Sequence, residues 1–452
     1  GGGYKWIREG LPRPNAFISG WMSWFGHMIA GSLYAVAFGA FFGHLLTLVG
    51  VPSEYVGVPL EKIIAVLVIV LFTYINVKGV SDTGKIGNAI TFSQLAIIFV
   101  LIVAGLFAMT FTNPNWSSNF ENFFPNGSIG LIIAMGLTFI AFEGYEIIVQ
   151  TGEEVKNPKK NIPRAIFISL GVVVTLYIVF AFVFIGGLNP AEVGKESWKF
   201  IGEHKELGIV EGAKFLLPFG ALIVLAGGMV STLSALNATT FSSSRVAFAM
   251  GRQYNLPSNF SAIHLKYRTP YLATAVSGFI MLIVAVLLPL EQIALAASVM
   301  FLFLFAQVNM AAITIRRLYG HKLEYGFKTP FFPILPLAGV FTTIGLAIYL
   351  LIYNPLSWAI AIIWVIIGFS VYKIYSIKKE LEHYAPLVGS EGPQERKDYR
   401  IMIVFNTETA QKLAKIGSAI AQDKQGEISF LSIVTVPIQL PLSSAQGFAE
   451  PA

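Results

Sequence analysis

Long apolar segments alternate with short polar loops along most of the chain. Each segment is close to the roughly 20 apolar residues that an α-helix needs to cross the hydrocarbon of a bilayer. The pattern predicts ten spans, near residues 17–48, 62–79, 87–111, 128–150, 164–187, 213–237, 271–290, 292–315, 333–353 and 356–377. The predicted fold class is therefore an all-α polytopic membrane protein over residues 1–377, embedded in a lipid bilayer.

The pattern changes after the tenth span. Residues 378–397 form a charged segment with Gly, Ser and Pro, which is typical of a linker. Residues 398–452 then contain a strand-like run at 399–405, a helical pattern at 407–422 and a second strand-like run at 428–436. A strand, a helix and a strand in this order predict a βαβ unit, which is too small to stand alone as a domain. We therefore expect a small, incomplete α/β tail.

Composition supports a membrane protein and excludes several other classes. Hydrophobic residues make up 55% of the chain and charged residues 12%, against about 25% charged in soluble domains. The net charge of +6 reports topology in such a protein, so we predict no nucleic-acid partner. The chain has no cysteine and its six histidines are scattered, so we predict no metal site. Without a phosphate loop or a nucleophile elbow, we expect neither an enzyme nor a cofactor.

The basic residues predict the orientation of the spans. Most Lys and Arg residues that precede the tail lie in one set of alternating loops, among them Lys156, Lys160 and Arg164. The positive-inside rule places these loops in the cytoplasm. Both ends of the chain are then cytoplasmic, and the tail favours the inner (plasma) membrane of a prokaryote. We also expect short helices in the longest outer segment, residues 188–212.

Two carboxylates interrupt the apolar sequence of the fourth span. Glu143 and Glu146 lie on either side of Gly144. A carboxylate at membrane depth costs roughly 3 kcal/mol on insertion scales, so it normally faces a cavity, a partner charge or the bundle interior. Gly144 lowers helix propensity, and an unwound helix exposes backbone groups that bind a zwitterion or an ion. The alternative is that both acids lie at the cytoplasmic end of the span and are solvated.

Other polar residues also lie within apolar spans. Ser231 and Thr232, in the hydroxyl-rich sixth span, fit a ligand or ion site and equally fit small-residue packing between helices. Trp24 and His27 lie one turn apart in the first span, and His27 is a candidate proton carrier, although a lone membrane histidine more often packs against neighbours. Gln94 in the third span fits an interhelical hydrogen bond as well as a functional role.

Several motifs together resemble those of the amino acid–polyamine–organocation (APC) transporters. AFEGYE at 141–146 is similar to the family's sixth helix, and EEVKNPKKNIPRAI at 153–166 to the cytoplasmic segment that follows it. SSSRVAFAMGRQYNLPSNFSAIHLKYRTP at 242–270 resembles the connection between the eighth and ninth helices. The opening segment, residues 1–21, resembles the connection between the second and third helices. The resemblance extends over residues 1–377.

The resemblance implies the APC/LeuT-type fold, a five-plus-five inverted repeat. The ten spans would be helices three to twelve, so the chain is expected to be an N-terminally truncated copy without the first two helices. A break in the fourth span would form half of the substrate site, with Phe142 or a neighbouring aromatic residue as a gate. The residues expected to contact substrate are Ile140, Phe142, Glu143, Gly144, Tyr145 and Trp24.

Two departures from the family bear on the coupling ion. The family often has a small or apolar residue where Glu143 stands, and the extra carboxylate suggests a cationic substrate or a proton site. Some members carry a lysine three residues after a threonine in the fifth helix, but here Gln94 follows Thr91. The candidate coupling residues are therefore Glu143, Glu146 and His27 for a proton, with Gln94 in the lysine position, and Ser231 and Thr232 for sodium.

The tail from residue 398 resembles the start of a universal stress protein domain. The match covers the first βαβ unit, and Asn406 stands where an aspartate is common. The later glycine-rich nucleotide loop of that family is absent from the sequence, so ATP binding is not predicted.

The combined prediction is a secondary active transporter of amino acids or related organic cations. It would work by alternating access with the substrate near the bilayer midplane, coupled to a proton or a sodium ion. The alternatives are a polyamine or inorganic-cation transporter of the same fold, and a membrane sensor regulated through the tail. A channel is disfavoured because the sequence shows no pore-lining repeat. The sequence leaves the oligomeric state open.

Overall fold

The structure, a computed structural model, describes residues 4, 7, 8, 10–79, 83–150, 155–320, 326–379, 399–405 and 410–432. The chain divides into two compact units, residues 1–251 with 257–372 and residues 252–256 with 373–452. The predicted linker lies outside the described residues except for its first two positions. Also outside them are Asn406, the end of the tail, and parts of the opening and EEVKNP motifs.

The first half of the membrane unit consists of helices and one small strand pair. In chain order its elements are α1 (Arg13–Leu48), β1 (Glu54–Tyr55), β2 (Val58–Pro59), α2 (Leu60–Lys78), α3 (Thr83–Phe111), a 3-10 turn (Trp116–Phe120), α4 (Gly127–Thr138), a second 3-10 turn (Phe139–Phe142), α5 (Tyr145–Gln150) and α6 (Pro158–Gly187). Strands β1 and β2 pair antiparallel.

The second half begins with short helices and continues with long ones. Its elements are α7 (Pro190–Val193), α8 (Ser197–Glu203), a 3-10 turn (Lys205–Leu207), α9 (Gly208–Leu216), α10 (Gly220–Arg252), a 3-10 turn (Ser258–Ser261), α11 (Tyr271–Leu287), α12 (Leu290–Tyr319), α13 (Ile334–Tyr353), α14 (Pro355–Val371) and a π-helical turn (Tyr372–Ser376). The prediction of short helices within residues 188–212 is confirmed by α7 and α8.

Among the described residues, nine helical segments are long and apolar enough to cross a bilayer, with Gly127–Val149 counted as one. The seventh predicted span, 271–290, corresponds to α11, which has only 17 residues. Helices α3 and α6 carry apolar side chains that are largely exposed, among them Phe92, Phe99 and Ile178. Such faces suit contact with lipid, where every backbone polar group must be bonded within its own helix. The predicted all-α polytopic membrane fold is therefore confirmed.

The sixth span differs from the prediction of 213–237 at both ends. Helices α9 and α10 are separate, and α10 runs for 33 residues. Pro218 explains the separation, because the residue before a proline avoids the helical region, and Leu217 is extended with φ −158° and ψ 145°. Phe219 then has a positive φ of 61°. The hydroxyl-rich segment from Ser231 onward consequently lies wholly within one long helix.

Helices α1 and α12 form the centre of the membrane unit. Most of residues 16–36 are buried, as is 67% of the most apolar part of α12. Glycines allow the close packing: a Cβ on Gly26 would lie 3.0 Å from Phe301 of α12, and one on Gly31 would lie 2.9 Å from Met281 of α11. Small residues let helix backbones approach each other within a membrane. The middle of α1 is therefore the inside of the bundle.

Gly39 marks a close contact between α1 and α2. A Cβ at this position would lie 2.2 Å from the backbone oxygen of Glu61, so the two helices would have to separate. We expect Gly39→Ala to lower the free energy of unfolding by about 1–3 kcal/mol, the usual cost of overpacking. Thermal unfolding in detergent measures the effect. Gly345→Ala is the control, since a Cβ there meets nothing within 4 Å; equal melting temperatures for the two variants would contradict this contact.

The described part of the second unit contains β3 (Arg400–Phe405), α15 (Ala410–Asp423) and β4 (Glu427–Ser432). The two strands pair in parallel, with Ile401 opposite Ile428. Helix α15 packs on β3, and a Cβ on Gly417 would lie 2.3 Å from Ile403. This is the strand, helix and parallel strand arrangement that the sequence pattern predicts. The relation to universal stress proteins stays a prediction.

Candidate functional site

The fourth span is broken in its middle. Helix α4 gives way to a 3-10 turn, and the chain becomes extended at Glu143 with φ −72° and ψ 154°. Gly144 follows with a φ of +119°, which residues with a Cβ rarely adopt. Helix α5 begins at the next residue. The helix thus unwinds where the sequence places Gly144 and its flanking acids.

Three ionisable side chains meet at this break. Nε2 of His27, from α1, lies 3.3 Å from Oε1 of Glu146 and 3.7 Å from Oε1 of Glu143. The side chains of His27, Glu143 and Glu146 are 0%, 1% and 13% exposed. Because Glu143 is fully enclosed, the alternative of two solvated acids does not hold. We refer to these three residues as the His–Glu cluster.

Backbone groups fix the orientation of the cluster. Nδ1 of His27 lies 2.6 Å from the carbonyl oxygen of Ser23, and because a carbonyl only accepts, Nδ1 donates to it and directs Nε2 toward the carboxylates. The N–H of Gly144 donates to Oε2 of Glu146 at 3.0 Å. Oε1 of Glu143 and Oε1 of Glu146 are buried and have no partner in hydrogen-bonding geometry. The two unsatisfied oxygens are the ones that face the imidazole.

The electrostatics of the cluster favour a positive occupant. Two carboxylates held side by side in a buried site repel each other, and burial without a partner charge is costly. An imidazolium, a proton or a bound cation relieves this repulsion. The arrangement is therefore suited to bind and release a positive charge in the middle of the bundle.

One cavity lies at the break and a second lies beside it. The first has a volume of about 470 Å³ and is lined by Tyr34, Glu143, Gly144, Ile147, Ile148, Ala235, Ala238 and Thr239. The second has about 600 Å³ and includes Arg245 and Arg268, on the side that the basic loops predict to be cytoplasmic. Both cavities are lined by Ile147 and Ala238. They are therefore neighbours, and the second lies toward the basic residues.

Aromatic residues support the broken segment from two directions. The ring of Phe142 packs edge-on against Tyr177 of α6, with 5.3 Å between centroids, and the Tyr177 hydroxyl donates to the carbonyl of Ala141 at 3.1 Å. The ring of Tyr145 stacks on Phe305 of α12 at 5.6 Å. These side chains hold the break in place, whereas Glu143 and Gly144 line the cavity.

Ile140 and Trp24, both predicted substrate contacts, are packed in the interior. Ile140 is buried beside the break. The indole N–H of Trp24 donates to the Ser277 hydroxyl at 2.8 Å, and its ring meets Trp21 and Trp364. Trp24 is thus placed by aromatic packing, and it is not among the residues that line either cavity.

The predicted sodium residues and Gln94 lie apart from the break. Gln94 and Ser231 line a separate, mostly apolar cavity of about 290 Å³. The hydroxyl of Thr232 donates to the carbonyl of Gly228 in its own helix at 2.8 Å, which satisfies the hydroxyl without an ion. Gln94 and Ser231 therefore share a cavity whose lining does not include Thr232, and the predicted roles of all three residues stay predictions.

Tyr34 is a cavity residue that the sequence analysis does not single out. It lies seven residues after His27 in α1, and side chains at this spacing share one face of a helix. From the sequence, Tyr34 could have been identified as a second polar ring on the helix face that carries the histidine. Thr239 also lines the cavity, and its hydroxyl donates to Ala235 of its own helix at 2.9 Å.

Comparison with known proteins identifies the family. Residues 1–372 match the family model described as amino acid permease. A methylthioribose transporter of Bacillus subtilis (strain 168) is 28% identical over 382 residues, which are 81% of this chain and 77% of that protein. From the same organism, the branched-chain amino acid permease BcaP is 27% identical (80% of this chain, 76% of BcaP), and the serine/threonine exchanger SteT is 28% identical (84% and 82%). The chain belongs to the amino acid permease family of integral membrane transporters.

Proposed function

We propose that the protein is a secondary active transporter of amino acids or related organic cations, coupled to a proton or a sodium ion. The observation that carries this proposal is the broken span with its buried His–Glu cluster beside a cavity. Transporters commonly bind substrate near the bilayer midplane at such a discontinuous helix. The names of the related proteins, which include two amino acid transporters, support an organic substrate of this size.

The two sides of the break suit the two ends of an amino acid. Backbone groups released from helical bonding bind polar substrate groups, as in other unwound membrane helices. Glu143 lines the same cavity, and its carboxylate attracts an ammonium group. A substrate with one or more amines therefore fits the site. A polyamine is the second candidate, because two carboxylates match more than one amine.

The adjoining cavities support alternating access. One is lined by Glu143 and Gly144, the other by Arg245 and Arg268, and both are lined by Ile147 and Ala238. We assign these cavities to the cytoplasmic side, in agreement with the positive-inside rule. Under this proposal both ends of the chain are cytoplasmic, and the structure represents a state open toward the cytoplasm.

We assign the coupling cation to the His–Glu cluster. The cluster offers unsatisfied oxygens and excess negative charge, whereas the hydroxyl of Thr232 is bonded within its own helix. A cation bound to the cluster would neutralise part of its negative charge. It would thereby change the affinity of the neighbouring site for the substrate. Coupling then follows, since each ligand alters the affinity for the other by the same factor.

Uptake into proteoliposomes tests the function. We expect saturable uptake of one class of labelled substrate, among leucine, serine, arginine, methylthioribose and putrescine, and faster uptake under either an inward proton gradient or an inward sodium gradient. Dissipating the gradient with the matching ionophore should return the rate to its basal value. Uptake of every substrate at the rate of protein-free liposomes under both gradients would contradict the proposal.

A further inference from the structure

We propose that the His–Glu cluster is also a binding site for a divalent first-row transition-metal cation of the zinc or manganese type. The donors are Nε2 of His27 and one carboxylate oxygen each from Glu143 and Glu146, and no two of them are more than 4.8 Å apart. They come from two parts of the chain that are far apart in sequence, so the site cannot be recognised from a local sequence motif.

The two distances from the histidine donor to the carboxylate donors match those around one small ion. With metal–ligand bonds of about 2.0–2.2 Å, two donors on a tetrahedral ion are roughly 3.4 Å apart. The two separations from Nε2, 3.3 Å to Glu146 and 3.7 Å to Glu143, lie on either side of this value. A modest movement of the carboxylates would bring all three donors onto one ion.

The surroundings of the donors are those of a metal site. A metal-binding histidine usually donates its other ring N–H to a carbonyl or carboxylate, which fixes the ring, and His27 does so to Ser23. Glu146 is held through its second oxygen by Gly144. The oxygens left without a hydrogen-bond partner are the two that face Nε2, in side chains that are almost wholly enclosed.

Charge and donor type indicate the class of metal. Two carboxylates and a neutral imidazole carry a charge that a divalent cation neutralises. A mixed nitrogen and oxygen donor set suits zinc, manganese and ferrous iron, whereas magnesium and calcium prefer oxygen ligands alone and take six or more of them. Three protein donors leave at least one position for water or for a substrate group on the cavity side.

Metal binding has a consequence for transport that rests on the proposed function. The metal and the coupling cation would use the same carboxylate oxygens, so they cannot occupy the cluster together. We therefore expect zinc to inhibit uptake competitively with the coupling cation. The binding itself requires no transport activity.

Isothermal titration of the purified full chain in detergent with zinc and manganese chlorides tests the site. We expect one high-affinity zinc ion per chain, with no competition from millimolar magnesium or calcium. His27→Gln, Glu143→Gln and Glu146→Gln should each weaken zinc binding at least ~10-fold, as is usual when a ligand or its support is lost. A visible absorption spectrum of cobalt bound to the unaltered protein gives a readout that does not depend on the folding of any variant.

A second histidine–glutamate pair provides the control. His44 and Glu211 lie 3.9 Å apart outside the cluster, so His44→Gln should bind zinc as the unaltered protein does. The proposal would be overturned if the unaltered protein bound no stoichiometric zinc, or if the three cluster variants bound zinc as tightly as the unaltered protein. Zinc binding without uptake would leave this inference standing and count against the proposed function, and uptake without zinc binding would do the reverse.

Discussion

Replacing Glu143 with glutamine is expected to lower gradient-driven uptake at least ~100-fold, equivalent to about 2.7 kcal/mol. The side chain is 1% exposed and lines the cavity at the break, so the change removes a charge from the site without changing its volume. Loss of one member of a buried group of interacting charges commonly weakens binding by 2–5 kcal/mol. Initial rates in proteoliposomes, measured with and without the gradient, give the result.

The stability of the Glu143→Gln protein distinguishes this effect from misfolding. Removing one of two buried like charges relieves repulsion, so the melting temperature should not fall. Glu121→Gln is the matched control, because Glu121 is exposed in a loop and its loss should leave uptake unchanged. Uptake by Glu143→Gln that equals uptake by Glu121→Gln would exclude Glu143 from the transport site.

Gly144→Ala is expected to cost about 1–3 kcal/mol of stability, the usual range for a residue forced into a sparsely populated backbone region. The φ of Gly144 is +119°, and a Cβ there would meet no atom within 4 Å. Backbone strain is therefore the only obstacle, and it falls on the segment that carries Glu143. We expect uptake to drop by at least tenfold (~1.4 kcal/mol) because the break can no longer adopt its geometry.

A second glycine separates strain from the effect of an added methyl group. Gly171 of α6 also has open space around it, but it lies within a regular helix. Gly171→Ala should therefore keep full activity and be as stable as the unaltered protein, or slightly more stable, since alanine favours helices. Unfolding temperature and uptake rate measured on both variants decide the matter. If Gly144→Ala behaves like Gly171→Ala, the break does not depend on a glycine conformation.

The spans could be predicted from sequence because a bilayer leaves a chain few choices. Backbone groups in hydrocarbon must be bonded within a helix, so an apolar segment of sufficient length is diagnostic. The prediction was wrong around Pro218, where hydropathy stays high and only the backbone rule for the residue before proline reveals the interruption. The break at Gly144 could be anticipated, since glycine and two acids weaken a helix at the same place.

The composition of the site was only partly predictable. His27, Glu143 and Glu146 each stand out as ionisable residues in apolar spans, but sequence spacing says nothing about which of them meet. Their contact depends on the packing of α1 against the broken segment. Trp24 shows the reverse case, since a tryptophan near a candidate site in sequence is here engaged by Ser277 and by other indole rings.

The fixed ring of His27 limits the stoichiometry of any cycle that uses it. Because Nδ1 is committed to the carbonyl of Ser23, the histidine presents one nitrogen, Nε2, to the carboxylates. A proton and a metal ion therefore compete for this atom and cannot be bound to it at the same time. In a transport cycle that passes through His27, each turnover therefore uses Nε2 for only one of these two cations.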